Sequence, residues 1–343
     1  MPPSAKSFMR REINETPAAL RRLLSESDKA MRDAGAALRQ LSPPVVVTIA
    51  RGSSDHAATY FKYAAEISTG IPVASLGPSV VSIYGAKLKL KGAAAIAISQ
   101  SGRSPDIVSM LTAARLGGAR TLALVNVPGS PLEAAADHVV PLAAGQEHSV
   151  AATKSFIVSV AASLGVLAAW TEDAALSAAL QRLPDQLEEA LQQDWSPALE
   201  AARGAGSLYT LGRGVGHAVA SEAALKFKET SLIHAEAYSG AELLHGPVSL
   251  VDGGFPVFVF APEDAALPSL VDLGARLNAK GAHLFVAGEG LAGTNLPTVA
   301  TGHPLTAPLA MLVSFYGFIE EVARARGLDP DVPRGLSKVT ETI

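Results

Sequence analysis

Residues 222–245 gather a dense cluster of side chains that can move a proton. Glu222, Lys226 and Glu229 stand at i, i+4 and i+7, so on a helix the three share one face. A Glu-Lys-Glu face alone is usually a solvated stripe. Here Ala223, Ala224, Leu225 and Phe227 make the rest of the helix apolar, which predicts a buried element whose charges need partners or a cleft. His234, Glu236, Tyr238, Glu242 and His245 follow closely, the last within Leu243-Leu-His-Gly-Pro247. In a chain only 17% charged, that clustering points to a reaction centre using carboxylate, amine and imidazole. His234, Glu236 and His245 lack H-E-x-x-H or any other ligand spacing, so no metal and no cofactor is expected. No G-x-S-x-G elbow and no cysteine is present, which leaves no supported serine or thiol nucleophile.

A second chemistry is written in hydroxyls. Gly52-Ser53-Ser54-Asp55 follows one strand-like run, and Ser99-Gln100-Ser101-Gly102-Arg103-Ser104-Pro105-Asp106 follows another. Ser104 reads as a helix N-cap with Pro105 in the favoured first helical position. Serines in one such turn are ordinarily turn and cap residues. Two hydroxyl turns on neighbouring strand ends instead predict a phosphate site, because free N–H groups at helix N-termini and several hydroxyls hold an anion without a large net charge. Gly212-Arg-Gly-Val-Gly216 lacks the G-x-G-x-x-G spacing and is not read as a nucleotide loop.

The elements that must position these groups come in two copies. Thr48-Ile-Ala-Arg-Gly52 recurs as Thr210-Leu-Gly-Arg-Gly214, each closing a β-rich run and opening a helical one, and Ala114-Arg-Leu116 recurs as Ala275-Arg-Leu277, each followed by a β-rich run. In the first half, apolar runs at 45–50, 71–76, 93–98, 121–125 and 139–142 alternate with helical segments. The second half repeats this at 208–211, 257–260 and 283–286, with a weaker run at 298–300. Apolar strands of this kind indicate an α/β fold of two doubly wound parallel sheets flanked by helices. The expected division is a helical lead-in over 1–44, a first α/β domain over 45–170, a helical connector over 171–204, a second α/β domain over 205–328 and a tail over 329–343.

Composition excludes other classes. The chain has 343 residues, 48% hydrophobic, with 28 Lys+Arg against 32 Asp+Glu for a net charge of −4. No basic run marks a nucleic-acid or anionic-membrane partner. The N-terminus carries charge throughout and is not expected to be a secretory signal. The longest apolar stretch read from the sequence, 307–319, is broken by Pro308 and Ser314 and falls short of the roughly 20 residues of a membrane span. A cytoplasmic location is expected.

Seven segments also carry a family resemblance: MRREINETP at Met9, ARGSSDHA at Ala50, ISQSGRSPD at Ile98, NVPGSPL at Asn126, SVAATKSF at Ser149, the block from Glu222 to Pro247, and DPDVPRGLSK from Asp329 to Lys338. From about Met9 to Lys338 the chain resembles the tandem sugar isomerase (SIS) domain family, specifically the isomerase half of glucosamine-6-phosphate synthases and the SIS-type amino-sugar-phosphate deaminases. The resemblance implies two tandem SIS domains and a phosphosugar substrate. It implies phosphate contacts from Ser53, Ser54, Ser99, Gln100, Ser101 and Ser104, and sugar contacts from the Val150-Ala151-Ala152 turn and Glu222. It implies Glu229 as the base between C1 and C2, with Lys226 beside it, Lys338 acting at the open-chain carbonyl, and His245, offered by the neighbouring subunit of a homodimer, opening the ring. Proton removal next to a carbonyl wants a carboxylate in a dry site and a cation for the developing enediolate, so these roles are chemically coherent.

The chain departs from the synthase pattern at three places. Arg103-Ser104-Pro105 stands in place of an acidic, threonine-bearing turn, Ala152 in place of a serine, and Gly335 in place of an asparagine. With no cysteine and a start at the isomerase boundary, no glutaminase activity is expected. The expected reaction is conversion of glucosamine 6-phosphate to fructose 6-phosphate and ammonia. A plain aldose-ketose isomerase, a fructosamine-phosphate deglycase and a phosphosugar-sensing module are the alternatives.

Overall fold

The computed structural model describes residues 7–338. It contains two five-stranded, all-parallel sheets. The first is built from β1 (Val46–Ile49), β2 (Val73–Ser75), β3 (Ala94–Ser99), β4 (Arg120–Val125) and β5 (His138–Pro141), in the order β2-β1-β3-β4-β5. The second uses β6 (Ser207–Gly212), β7 (His234–Ser239), β8 (Pro256–Ala261), β9 (His283–Gly288) and β10 (Thr294–Leu296). Its order, β10-β9-β8-β6-β7, is the same arrangement read from the other edge. The duplication visible in the sequence is therefore a duplication of topology, with a switch point between β1 and β3 in one sheet and between β6 and β8 in the other.

Two corrections arise at the edges. The strand expected at 298–300 lies instead at Thr294–Leu296, and His234–Ser239, read as a cluster of titratable groups, is an edge strand paired with β6. That segment alternates exposed His234 and Glu236 with buried Ala235, the period-2 pattern of a strand.

Among the described residues the chain divides into two compact units interleaved in sequence. One holds the first sheet and comprises 18–147, 154–181 and Lys338; the other holds the second sheet and comprises 7–17, 148–153 and 182–337. In the first-sheet unit, Val47, Ile49, Ala95, Ala97 and Ala123 pack against Ile107, Met110 and Leu111 from the helix Pro105–Leu116. In the second, Tyr209, Leu211, Val257 and Val259 pack against Leu270, Leu273 and Leu277 from the helix Leu267–Ala279. The helix Lys154–Thr171 is long and apolar enough to cross a membrane, which the sequence reading overlooked, but 83% of it is buried in the protein. Its apolar residues meet Met31 and Gly35 of the helix Asp28–Leu41: a Cβ on Gly165 would lie 2.4 Å from Met31 Sδ, and one on Gly35 would lie 2.5 Å from Ala169 Cβ. All-round apolarity here reflects a central core helix.

Candidate active site

The two hydroxyl turns lie side by side. β1 and β3 pair as far as Ile49 with Ala97, so the turns leaving their carboxyl ends emerge as neighbours at the switch point. Ser53 and Ser54 open the helix Ser53–Thr69, preceded by Gly52 at φ 56°, a left-handed conformation that favours glycine. In the second turn Ser99 Oγ accepts from Gly102 N at 3.0 Å and Ser101 Oγ accepts from Arg103 N at 3.3 Å. Gly102 has φ 64°, and a Cβ there would lie 2.3 Å from Ser130 Oγ. Ser104 precedes the helix Pro105–Leu116 as expected, but its hydroxyl makes no capping bond; Asp106 Oδ1 accepts from Ile107 N instead, at 2.8 Å. Ser53, Ser54, Gln100, Ser101 and Ser104 are all partly exposed, and Ser99 is 8% exposed. Gln100 also lines a cleft of about 590 Å³ with Arg22, Asn126 and Gly145. The first-sheet unit thus brings the six predicted phosphate residues onto two adjacent turns.

Lys338 belongs to the same unit. Its Nζ lies 3.1 Å from Glu147 Oε2. That carboxylate is fully buried and also accepts from Ser155 N at 3.1 Å and Ser155 Oγ at 2.6 Å, in the first turn of the helix Lys154–Thr171. Glu147 was not singled out from the sequence.

In the second-sheet unit the expected charged face exists. The helix Val215–Ser231 begins after Gly214 at φ 57° and buries Ala223, Ala224 and Phe227. Lys226, fully buried, lies 3.2 Å from Glu222 Oε1 and also contacts Glu229 Oε2. Burial opposes the charge on Lys226, yet attraction to Glu222 and Glu229 outweighs it and holds the ammonium above the ordinary lysine range. Tyr316 Oη donates to Glu222 Oε1 at 3.2 Å. Only Glu229 of the three reaches an opening. Its side chain is 20% exposed, and it lines a cavity of about 180 Å³ with Thr230, Leu328, Asp329, Pro333 and Arg334.

The Val150–Ala152 turn belongs to this unit and is held from below. Glu12, 3% exposed on the helix Phe8–Asn14, accepts from Ser149 N at 3.2 Å and also from His148 N and Ser149 Oγ. Val150 N donates to Asp331 O at 3.2 Å, while Asp331 carboxylate oxygens accept from Phe8 N and Met9 N at 2.7 Å each. Val150 and Ala152 are partly exposed. Glu12 was missed, though a signal was available: it shares the buried face of its helix with Met9 and Ile13.

Not every predicted residue joins these groups. His245 is exposed just beyond the short helix Gly240–Leu243 and does not line the Glu229 cavity. His234 Nδ1 meets Ser207 Oγ at 3.3 Å, and Glu236 Oε2 accepts from Tyr238 Oη at 2.8 Å. Desolvation, followed by that bond to Glu236, pushes the Tyr238 phenol up to about 12. Among the described residues no group of three or more His, Asp or Glu is gathered as a metal would require.

A duplicated parallel sheet with adjacent hydroxyl turns at one switch point, and a buried Glu-Lys-Glu helix after the first strand of the other copy, defines a two-sheet, doubly wound α/β protein. The chain belongs to the SIS domain family of phosphosugar isomerases, whose model matches residues 43–168 and 203–287. It is 34% identical over 360 residues to glutamine–fructose-6-phosphate aminotransferase (isomerizing) of Aeropyrum pernix, covering 96% of this chain and 56% of that protein. The chain therefore spans a little over half the length of such relatives. Among solved structures, a candidate phosphosugar isomerase from Silicibacter pomeroyi DSS-3 is 50% identical with a TM-score of 0.92, covering 95% of this chain and all (100%) of its own. The C-terminal domain of glucosamine-fructose-6-phosphate aminotransferase from Francisella tularensis is 26% identical with a TM-score of 0.82, covering 97% of this chain and 100% of that domain. A glucosamine-6-phosphate deaminase from Thermotoga maritima, at 20% identity and a TM-score of 0.76 over 98% of this chain and 100% of its own, shares the fold.

Proposed function

We propose that this protein isomerises an amino-sugar phosphate, converting glucosamine 6-phosphate and water to fructose 6-phosphate and ammonia. The observation that carries the reading is the buried Glu222–Lys226–Glu229 line, in which Glu229 alone reaches a cavity. A carboxylate at the edge of a dry interior, with a fixed ammonium behind it, is the equipment for moving a proton between C2 and C1. Phosphate is held by Ser53, Ser54, Ser99, Gln100, Ser101 and Ser104, and the Val150–Ala152 turn meets the sugar hydroxyls. Once C2 has lost its proton and C1 has gained one, the C2 nitrogen stands as an imine that water hydrolyses to the ketone. Lys338 acts at the open-chain carbonyl. His245 opens the ring from a second copy of the chain, which is why an exposed position suits it.

A plain aldose-ketose conversion is the second reading. It is favoured by the likeness to the Silicibacter candidate phosphosugar isomerase, at 50% identity over 95% of this chain. Incubating the purified protein with glucosamine 6-phosphate, while following ammonia and fructose 6-phosphate, separates the two. Release of both supports deamination, whereas turnover confined to an unaminated aldose phosphate replaces it with the second reading. Glu229→Gln is expected to lower kcat about 100 to 10,000-fold while leaving phosphosugar binding in place. A sensor would keep its ligand response in that variant and show no turnover in either form.

A further inference from the structure

We propose that Arg51 and Asp106 form a brace that sets the spacing of the two hydroxyl turns, and that phosphate affinity depends on it. The proposal rests on the phosphosugar reading and extends it to two residues outside the hydroxyl set. Arg51 sits in the turn after β1, two positions before Ser53; Asp106 sits in the first turn of the helix Pro105–Leu116, two positions after Ser104. Arg51 Nε lies 3.1 Å and Nη2 3.0 Å from Asp106 Oδ2, so the guanidinium approaches side-on through two donors. The other oxygen of Asp106 is held by Ile107 N, which fixes the carboxylate to its helix.

This pair is unlike the exposed salt bridges elsewhere on the chain. The Asp106 side chain is 0% exposed and that of Arg51 51% exposed. A carboxylate that has left water cannot abandon its cation as a solvated one can, so the link persists where a surface pair would fray. It also acts where the sheet no longer does. Paired backbone positions of β1 and β3 end at Ile49 and Ala97, and the phosphate residues all lie beyond that point. Hydroxyls and N–H groups bind a dianion well only if their mutual distances are set beforehand, because ordering them on binding subtracts from affinity. Charge leads to the same result. The Asp106 carboxylate beside the serine turn would repel a phosphate, and the Arg51 guanidinium offsets that charge in a protein of net charge −4. Arg51 and Asp106 are thus positioning residues for the phosphate subsite.

The test compares wild type with Arg51→Gln, Arg51→Lys, Asp106→Asn and the double variant Arg51→Gln/Asp106→Asn. Calorimetric binding of inorganic phosphate and of glucosamine 6-phosphate is read beside kcat, KM and the melting transition. Each single amide variant is expected to weaken phosphosugar binding at least about tenfold, with kcat at saturation within about threefold. Arg51→Lys, which keeps the charge but not the fork, should recover part of the loss. The double variant should lose no more than the worse single one, since both remove one link. It also leaves no buried unpaired charge, so it answers the question if a single variant fails to fold. Additive losses, an affinity loss in Arg51→Gln but not Asp106→Asn, or wild-type affinity in the double variant each overturn the brace. Wild type binding phosphosugars with the variants unchanged sinks the brace and spares the phosphosugar reading. Binding of inorganic phosphate that depends on both residues, with every phosphosugar refused, does the reverse. A wild type that binds neither sinks both.

Discussion

The Lys338 ammonium lies 3.1 Å from Glu147 Oε2, joining the tail to a carboxylate that is itself fully buried at the start of the helix Lys154–Thr171. Ser155 N and Ser155 Oγ also donate to Glu147, so one buried carboxylate ties the tail to that helix. The relationship makes Lys338 a held group, although it stands within five residues of the end of a 343-residue chain.

The first prediction follows from that contact. Lys338→Met is expected to lower kcat about 100 to 1,000-fold, the cost of removing one aimed donor from a developing charge. Glu147→Gln leaves the lysine present but loosely placed, and should lower kcat about tenfold, equivalent to about 1.4 kcal/mol. Steady-state kinetics of the two variants and their combination check this. A combined variant no worse than Lys338→Met alone is the expected outcome, because Glu147 acts through the lysine.

Glu12 gives the second. Its carboxylate accepts from Ser149 N, Ser149 Oγ and His148 N, directly beneath the turn assigned to the sugar. Glu12→Gln replaces one acceptor oxygen with an NH₂ group and removes the charge that these donors face, at a cost of about 1–3 kcal/mol. A lower melting temperature and a KM that rises more than kcat falls are expected. Unchanged KM with lowered stability would make the contact purely architectural.

What the sequence disclosed and what it hid divide along one physical line. The apolar βα alternation is local, and runs at 45–50 and 257–260 became Val46–Ile49 and Pro256–Ala261 with small shifts at the ends. The serine turns and the Glu222–Lys226–Glu229 spacing are equally local, so they were legible. Arg51–Asp106, Glu12–Ser149 and Glu147–Lys338 join positions 55, 137 and 191 residues apart, and no periodicity encodes such pairs. β7 was missed because an edge strand with one open face carries polar residues at alternate positions, and His234, Glu236 and Tyr238 read first as chemistry. Ser104 shows the opposite error: its position before the helix was right, but its hydroxyl does no capping.

The buried charges supply a third prediction. Lys226→Met removes the cation between Glu222 and Glu229 and leaves the Glu222 carboxylate, which also accepts from Tyr316 Oη, without its ammonium in a dry interior. Breaking a buried pair from one side typically costs about 3–5 kcal/mol, and chemical denaturation should show a loss of that size. Adding Glu222→Gln removes the stranded charge and should recover much of the stability. Activity should not return, because Glu229 would still lack its ammonium.

Asp137 provides the last, a dependence of stability on pH. Partial burial tends to raise its pKa, but hydrogen bonds from Thr121 N and Thr121 Oγ1, both 2.9 Å from Oδ2, and the charges of Arg115 and Arg120 outweigh that and hold it below the ordinary value. A carboxyl group depressed in the folded state stabilises fully above its unfolded pKa of about 3.9, and that contribution fades as pH falls through the lower folded value. Asp137→Asn should therefore cost about 1–2 kcal/mol at neutral pH and progressively less on acidification, until the two proteins melt together once the pH lies below the depressed folded value. Thermal melts of both proteins across that range decide it. A gap that persists undiminished at the acid end would mean that Asp137 stabilises the join of β4 to β5 through shape and neutral hydrogen bonds rather than through its charge.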